Sequence, residues 1–254
     1  MIEVTNLYKR FDDLEVLKGV SAEFKKGDTS LIIGSSGSGK TVFLKCMLGL
    51  LEPNDGDISY DGRVYSKMGK DERRDLRKEM GMVFQSGALF DSETIENNIM
   101  FPLKMFTNQS REEMLERVNF VLNRVNLENV NSKFPAELSG GMQKRVAIAR
   151  AIVMNPKYLF CDEPNSGLDP RTAIVIDNLI KEITDEYQMI TIINTHDMNS
   201  VMEIGEKIIF LKDGLKVWEG SSLNIFKTDN EAVTNFVYSS NLFKKVREVY
   251  NKEN

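Results

Sequence analysis

Residues Gly34-Ser35-Ser36-Gly37-Ser38-Gly39-Lys40-Thr41 constrain this chain more than any other stretch. They fit G-x-x-x-x-G-K-[ST], a phosphate-binding P-loop. The flanks fit too. Residues 29–33 are a short apolar run that reads as a buried strand, and residues 42–48 open a helix. Glycines let backbone N–H groups turn inward without a Cβ clash. Together with the helix N-terminus they form a nest for phosphate oxygens. Lys40 adds a positive charge near the β- and γ-phosphates, and Thr41 offers a hydroxyl to Mg²⁺. Alone, the loop specifies a nucleoside triphosphate and no particular reaction.

Further chemistry lies at the ends of later apolar runs. Tyr158-Leu159-Phe160-Cys161 leads into Asp162-Glu163. An acidic residue at that place can hold Mg²⁺, and the next carboxylate can polarise an attacking water. The bland alternative is a pair of solvated strand-end carboxylates. Gln85 ends another apolar run, and its amide can reach a metal or a water. The only histidine, His196, ends a third. On residues alone, a single Gln and a single His read more readily as packing or surface groups. Ser139-Gly140-Gly141 at a helix start can bind an anion through backbone N–H groups. That loop carries no lysine, which suggests that it serves another molecule's nucleotide. Tyr8 and Phe11 near the N-terminus either stack on a nucleotide base or pack in the core.

Composition narrows the partners. The 254 residues carry a net charge of −5, without the basic footprint of a nucleic-acid groove. No run approaches the roughly 18 apolar residues of a membrane-spanning helix. The N-terminal Met1-Ile2-Glu3-Val4 lacks a signal-peptide pattern, so a cytoplasmic protein is expected. Cys46 and Cys161 sit in apolar runs without metal spacing and read as small buried hydrophobes. The charged run 67–79 predicts a solvated helix. Ser110-Arg111-Glu112-Glu113 predicts a capped helix whose apolar stripe runs from Met114 to Val125. Lys212-Asp213-Gly214 predicts a hairpin, and residues 222–254 read as helical.

The ordered set of motifs resembles the nucleotide-binding subunits of ABC transporters. Gly34–Thr41 matches Walker A, Gln85 the Q-loop, and residues 138–143 the signature motif. Residues 158–163 match Walker B, Ser166-Gly167-Leu168-Asp169 the D-loop, and His196 the switch histidine. The resemblance covers roughly residues 1–225. It implies an α/β P-loop NTPase core with a mostly parallel sheet, an N-terminal antiparallel β subdomain and an inserted helical subdomain. The implied division is 1–86 with 156–225 for the core, 87–155 for the helical part and 226–254 for a C-terminal helical extension. Two copies would close head to tail over two ATP molecules, with Lys40 and Thr41 of one facing Ser139, Gly140 and Gly141 of the other. Asp169 would join the nucleotide-facing set, Phe11 would stack on the base, and Thr41, Gln85 and Asp162 would surround Mg²⁺. Glu163 would be the general base, His196 would touch the γ-phosphate, and Gln85 would couple the site to a membrane permease.

Gln85–Ser92, Asn97–Leu103, Lys133–Glu137 and Gly39–Lys45 are further similar to the MCE-associated, Mla-type ATPases. That similarity implies phospholipid or other hydrophobic-substrate transport, a permease, an MCE-domain protein and a place on the inner face of the cytoplasmic membrane. Asn165 departs from the threonine common at that position. Two other readings stand: an importer ATPase for amino acids or another polar solute, and a nucleotide-gated ABC protein outside transport. Against DNA-repair relatives, the chain has no room for a coiled coil between its motifs; against translation-factor relatives, it has one cassette where they have two.

Overall fold

The computed structural model describes residues 1–238. Two antiparallel strands, β1 (Ile2–Phe11) and β2 (Leu14–Phe24), precede the central strand β3 (Thr29–Ile33) and helix α1 (Lys40–Met47). A short meander follows, β4 (Asp55–Tyr60) and β5 (Arg63–Val64), then α2 (Lys70–Lys78) and β6 (Met80–Val83). Only helices and loops come next: α3 (Ile95–Phe106), α4 (Arg111–Arg124) and α5 (Gly140–Ile152). The chain then returns to β7 (Tyr158–Asp162), α6 (Pro170–Tyr187), β8 (Ile190–Asn194), α7 (Met198–Ile204), β9 (Lys207–Lys212), β10 (Leu215–Gly220) and α8 (Glu231–Val237).

The strands form two sheets. One is antiparallel, ordered β2-β1-β4-β5; the other is six-stranded, ordered β10-β9-β3-β8-β7-β6, and parallel except for β10. All five residues of β3 and of β8 are buried, the pattern of a parallel sheet covered on both faces. One face packs on the helices through Ile99, Val121, Val146, Ile176 and Ile180. The other packs on α1 and the antiparallel sheet through Phe24, Phe43, Tyr60 and Ile209. This is the α/β cassette expected from the motif order. It sets the C-terminal ends of β3, β6, β7 and β8 along one edge, the usual place for ligands in an open α/β sheet.

Local details follow the sequence. Ser110 and Glu113 close the capping box of α4, and Val118, Val121 and Leu122 are buried along its stripe. Asp213 and Gly214 both take positive φ in the hairpin between β9 and β10, as a tight turn matched to strand twist requires. Both cysteines are buried and unbridged, and burial pushes the Cys46 thiol up to about 11. The expected helix from residue 222 differs: it starts only at Glu231. Asn224 instead accepts from the Ser221 N–H, and Asn230 caps α8 by accepting from Ala232 and Val233. Short polar side chains that bond nearby backbone compete with helix in this way. The remainder of the expected extension, residues 239–254, lies outside the described residues.

Candidate functional site

The P-loop wraps the N-terminus of α1. Gly34 takes φ +150, and a Cβ there would sit 2.2 Å from the Leu211 carbonyl. Gly39, at φ +102, is the residue that enters the helix, and a Cβ on it would meet the Val16 carbonyl. Both positions therefore demand glycine. The loop lines a cleft of about 840 Å³ together with Val16, Gln85, Glu163, His196 and Phe236. Lys40 is nearly buried, and its Nζ donates to the carbonyls of Gly34 at 2.8 Å and Ser35 at 3.0 Å. An ammonium has three protons to give, so one is left for a ligand oxygen. Burial pulls the Lys40 pKa down, and the nearby Glu163 and Asp162 work against that. The buried Ser38 hydroxyl finds no hydrogen-bond partner among the described residues. An anion-sized cradle with an orphan hydroxyl and a free ammonium proton fits a polyphosphate.

A second layer stands across the cleft at the strand ends. Asp162 Oδ1 accepts from Thr41 Oγ1 at 3.3 Å and from Asn194 Nδ2 at 3.0 Å. A hydroxyl and one carboxylate are hard oxygen donors, the small protein share that Mg²⁺ takes when phosphates supply the rest. No cluster of three His, Cys, Asp or Glu exists among the described residues, so the site is suited to that shared coordination and not to a protein-only cage. Glu163 follows directly at φ +47, a left-handed conformation that is strained for a non-glycine residue. Its N–H donates to the Asn194 carbonyl at 2.9 Å. One carboxylate oxygen accepts from Gln85 Nε2 at 3.1 Å, and the other lies 2.9 Å from His196 Nδ1. Gln85 also reaches Ser166 Oγ at 3.3 Å.

The structure thus gathers residues 34–41, Gln85, Asp162, Glu163 and His196 at one cleft. It does not bring in the others. Phe11 is exposed at the end of β1 under the Lys9 ammonium and does not line the cleft; Val16 of β2 does. Ser139 caps α5, and Gly140 and Gly141 lie against Leu168 and Thr172 instead of the P-loop. Asp169 is occupied as the cap of α6, accepting from Arg171, Thr172 N–H and Thr172 Oγ1.

Three residues were invisible as site residues in the sequence. Lys144 Nζ donates to the Gln85 carbonyl, and Arg150 donates to the carbonyls of Ala88 at 2.8 Å and Gly87 at 2.7 Å. These cations of α5 clamp the loop that carries Gln85, and burial lowers the pKa of both. Cations on a helix ordinarily read as a solvated face, so only their place beside the signature loop hinted at more. Asn194 is the third. As the polar residue ending an apolar strand, it orients Asp162. Asn194→Ala is expected to raise the Mg²⁺ concentration for half-maximal activity by roughly tenfold, the usual cost of losing an outer-sphere partner. A Mg²⁺ titration of turnover at saturating ATP measures this.

Known proteins supply the context. Residues 17–166 match the ABC transporter family. The methionine import ATP-binding protein MetN of Clostridium tetani is 40% identical over 217 residues, spanning 85% of this chain and 68% of the relative. The dimeric structure of MJ0796, a bacterial ABC transporter cassette, superposes with a TM-score of 0.80 at 33% identity, covering 87% of this chain and 99% of that one. The same cassette is known in a post-hydrolysis state bound to ADP and Pi. The cbiO1 protein of Clostridium perfringens, part of the transporter complex cbiONQ, gives 0.83 at 28% identity over 97% of this chain and 98% of that one.

Proposed function

Since the chain belongs to the ABC transporter family, as an ATP-binding and ATP-hydrolysing subunit that works on ATP with Mg²⁺, we propose that it powers an importer of a small polar solute. An amino acid such as methionine is the first candidate. The observation that carries this reading is the 40% identity to a methionine import ATPase across most of the chain.

In the proposed chemistry Lys40 and the P-loop amides hold the β- and γ-phosphates. Thr41 and Asp162 would hold Mg²⁺, with Gln85 close by, and the ion would supply positive charge against the phosphates. Glu163 takes the proton of the attacking water, and His196 contacts the γ-phosphate. The contacts of Glu163 with Gln85 and His196 support this assignment, since a base must be held in one orientation to work. Ser139, Gly140, Gly141 and Asp169 complete the site of a second copy, consistent with their standing outside the lining of this chain's own cleft. Phe11 keeps its proposed place against the base only if that strand end shifts toward the cleft. The division into a core of 1–86 with 156–225 and a helical part of 87–155 is carried into this proposal, with Gln85 at the joint.

No helix among the described residues is long and apolar enough to cross a membrane, and the proposed transport works through a permease. Its proposed seat is a groove of about 400 Å³ walled by Phe84, Phe90, Phe101 and Phe106 and rimmed by Arg77 and Arg150. Phe90 and Phe101 meet edge to face with ring centroids 4.9 Å apart. That wall favours a second reading. Phe90 and Phe101, with Ala88 and Pro102, come from Gln85–Ser92 and Asn97–Leu103, two of the stretches similar to Mla-type ATPases, and a permease seat reports the type of transporter more directly than an ATP site does. Under this second reading the cargo is a phospholipid or another hydrophobic substrate and an MCE-domain protein joins the complex.

Purification of the tagged protein from gently solubilised native membranes, with mass spectrometry of what accompanies it, tests both. A polytopic permease with a solute-binding protein is the expected result. A permease with an MCE-domain protein and bound phospholipid would replace the importer by the lipid transporter. Ribosomes, DNA or division proteins without a permease would overturn transport altogether.

A further inference from the structure

One buried carboxylate has no part in the chemistry above. Asp177 lies on α6 and is only 2% exposed. No cation pairs with it among the described residues. Its two oxygens accept from Nδ2 of Asn165 at 3.2 and 3.1 Å. The same amide donates to Ser200 Oγ at 2.9 Å, and the Ser200 hydroxyl bonds to the carboxylate. Asn165 and Ser200 are themselves buried. Burial pushes the carboxyl up to about 6; the Ser200 and Asn165 bonds pull it down, while Asp197 and Glu203 push it further up. A buried carboxylate without a cation costs stability, so an apolar residue of similar size would serve packing better.

The three residues meet where the site needs alignment. Asn165 lies two residues past Glu163, in the loop that leads to α6. Ser200 lies on α7, four residues past His196. We propose that Asp177 is a positioning residue for ATP hydrolysis, a buried tie that couples the loop behind Glu163 to the helix behind His196. The inference rests on the roles given to Glu163 and His196 under the proposed function. Helix α6 is the fixed point, because Ile176, Leu179, Ile180 and Ile183 anchor it in the core. From that point one carboxylate fixes the Asn165 side chain directly and reaches α7 through Ser200. Glu163 and His196, 2.9 Å apart, are then oriented by a single group that touches neither of them. Asn165 is the link between the two elements. Its amide gives a proton to each partner, the Asp177 carboxylate and Ser200 Oγ.

The test compares variants of the full chain in the assembled transporter. Asp177→Asn is expected to lower kcat about tenfold, less than the 10²-fold that a 1 Å misplacement can cost, with ATP affinity held within about twofold. Tm should hold within about 3 °C, because a buried charge is removed together with the bonds. The exchange Asn165→Asp with Asp177→Asn restores an amide–carboxylate pair in reverse and should return kcat to within about threefold of the parent. A purely structural role would instead lower Tm without a selective loss of kcat. Parental kcat in Asp177→Asn, or a loss that tracks Tm and resists the exchange, overturns the proposal. Should Asp177→Asn fail to fold, Ser200→Ala cuts only the α7 side, and an unchanged kcat there overturns it equally. Glu163→Gln serves as the control. Normal turnover in that variant removes the underlying reading and this inference with it, whereas a dead Glu163→Gln beside an unimpaired Asp177→Asn removes this inference alone.

Discussion

Glu163→Gln is expected to bind ATP as tightly as the parent and to lose about two to four orders of magnitude in kcat, the range that a positioned general base supplies. The substitution keeps the shape of the side chain. A glutamine at this place still accepts from Gln85 Nε2 through its Oε1, and its amide faces His196 Nδ1, which accepts in one imidazole tautomer. What it cannot do is take a proton. The left-handed backbone at Glu163 points the same way, since strain at a non-glycine residue is kept where orientation matters more than local stability. The P-loop contacts are untouched, because Lys40 bonds to Gly34 and Ser35 and not to Glu163. Binding and chemistry should therefore separate, with single-turnover hydrolysis falling and nucleotide affinity holding. Hydrolysis near the parental rate would remove Glu163 from the role of base while leaving the phosphate cradle standing.

The parts of this site that sequence reading reached are those whose chemistry is local. The P-loop needs its glycines, lysine and threonine within one turn of chain, so eight consecutive residues carry the whole signal. Asp162 and Glu163 are legible as a carboxylate pair closing an apolar strand. Their meeting with Gln85 and His196 is not, because those partners lie 78 and 33 residues away from Glu163 in the chain. What joins them is the strand order β8-β7-β6, and hydrophobic runs do not state which strands are neighbours. Motif order supplied that information where periodicity could not. Side-chain reach was hidden more deeply. Nothing in the spacing of Lys144 and Arg150 says that they turn inward onto the Gln85 loop. Asn165, Asp177 and Ser200 likewise read as loop and helix-surface polar residues until the fold buries them together. The overextended C-terminal helix has the opposite cause. Apolar residues recur there at helical spacing, while Asn224 and Asn230 bond nearby backbone N–H groups and delay the helix to Glu231.

Lys40→Met should do the reverse of Glu163→Gln and abolish binding first. Among the described residues Lys40 is the one lysine or arginine lining the cradle, 7% exposed, with two of its three protons committed to loop carbonyls. Removing it deletes a charge-assisted bond to phosphate, worth about 1.5–3 kcal/mol. It also strips the Gly34 and Ser35 carbonyls of their donor and leaves Asp162 and Glu163 facing a polyanion with less opposing charge. Burial lowers the Lys40 pKa and the two carboxylates oppose it; a bound phosphate would act on the same side as the carboxylates. Together these terms give an affinity loss of about 10²-fold or more, since each 1.4 kcal/mol is a factor of ten. The readout is ligand-induced stabilisation. Saturation at a hundredfold above Kd adds about 2.7 kcal/mol to the stability of a binding-competent chain. ATP should raise the Tm of the parent and of Glu163→Gln alike, and leave that of Lys40→Met near its ligand-free value. Arginine at this position is not expected to rescue binding. Its planar guanidinium needs more width than the ammonium that the Gly34 and Ser35 carbonyls hold at 2.8 and 3.0 Å. A full ATP-induced shift in Lys40→Met would mean that the loop amides alone hold the phosphates, and that the lysine serves only to stabilise charge developing on the phosphate oxygens during transfer.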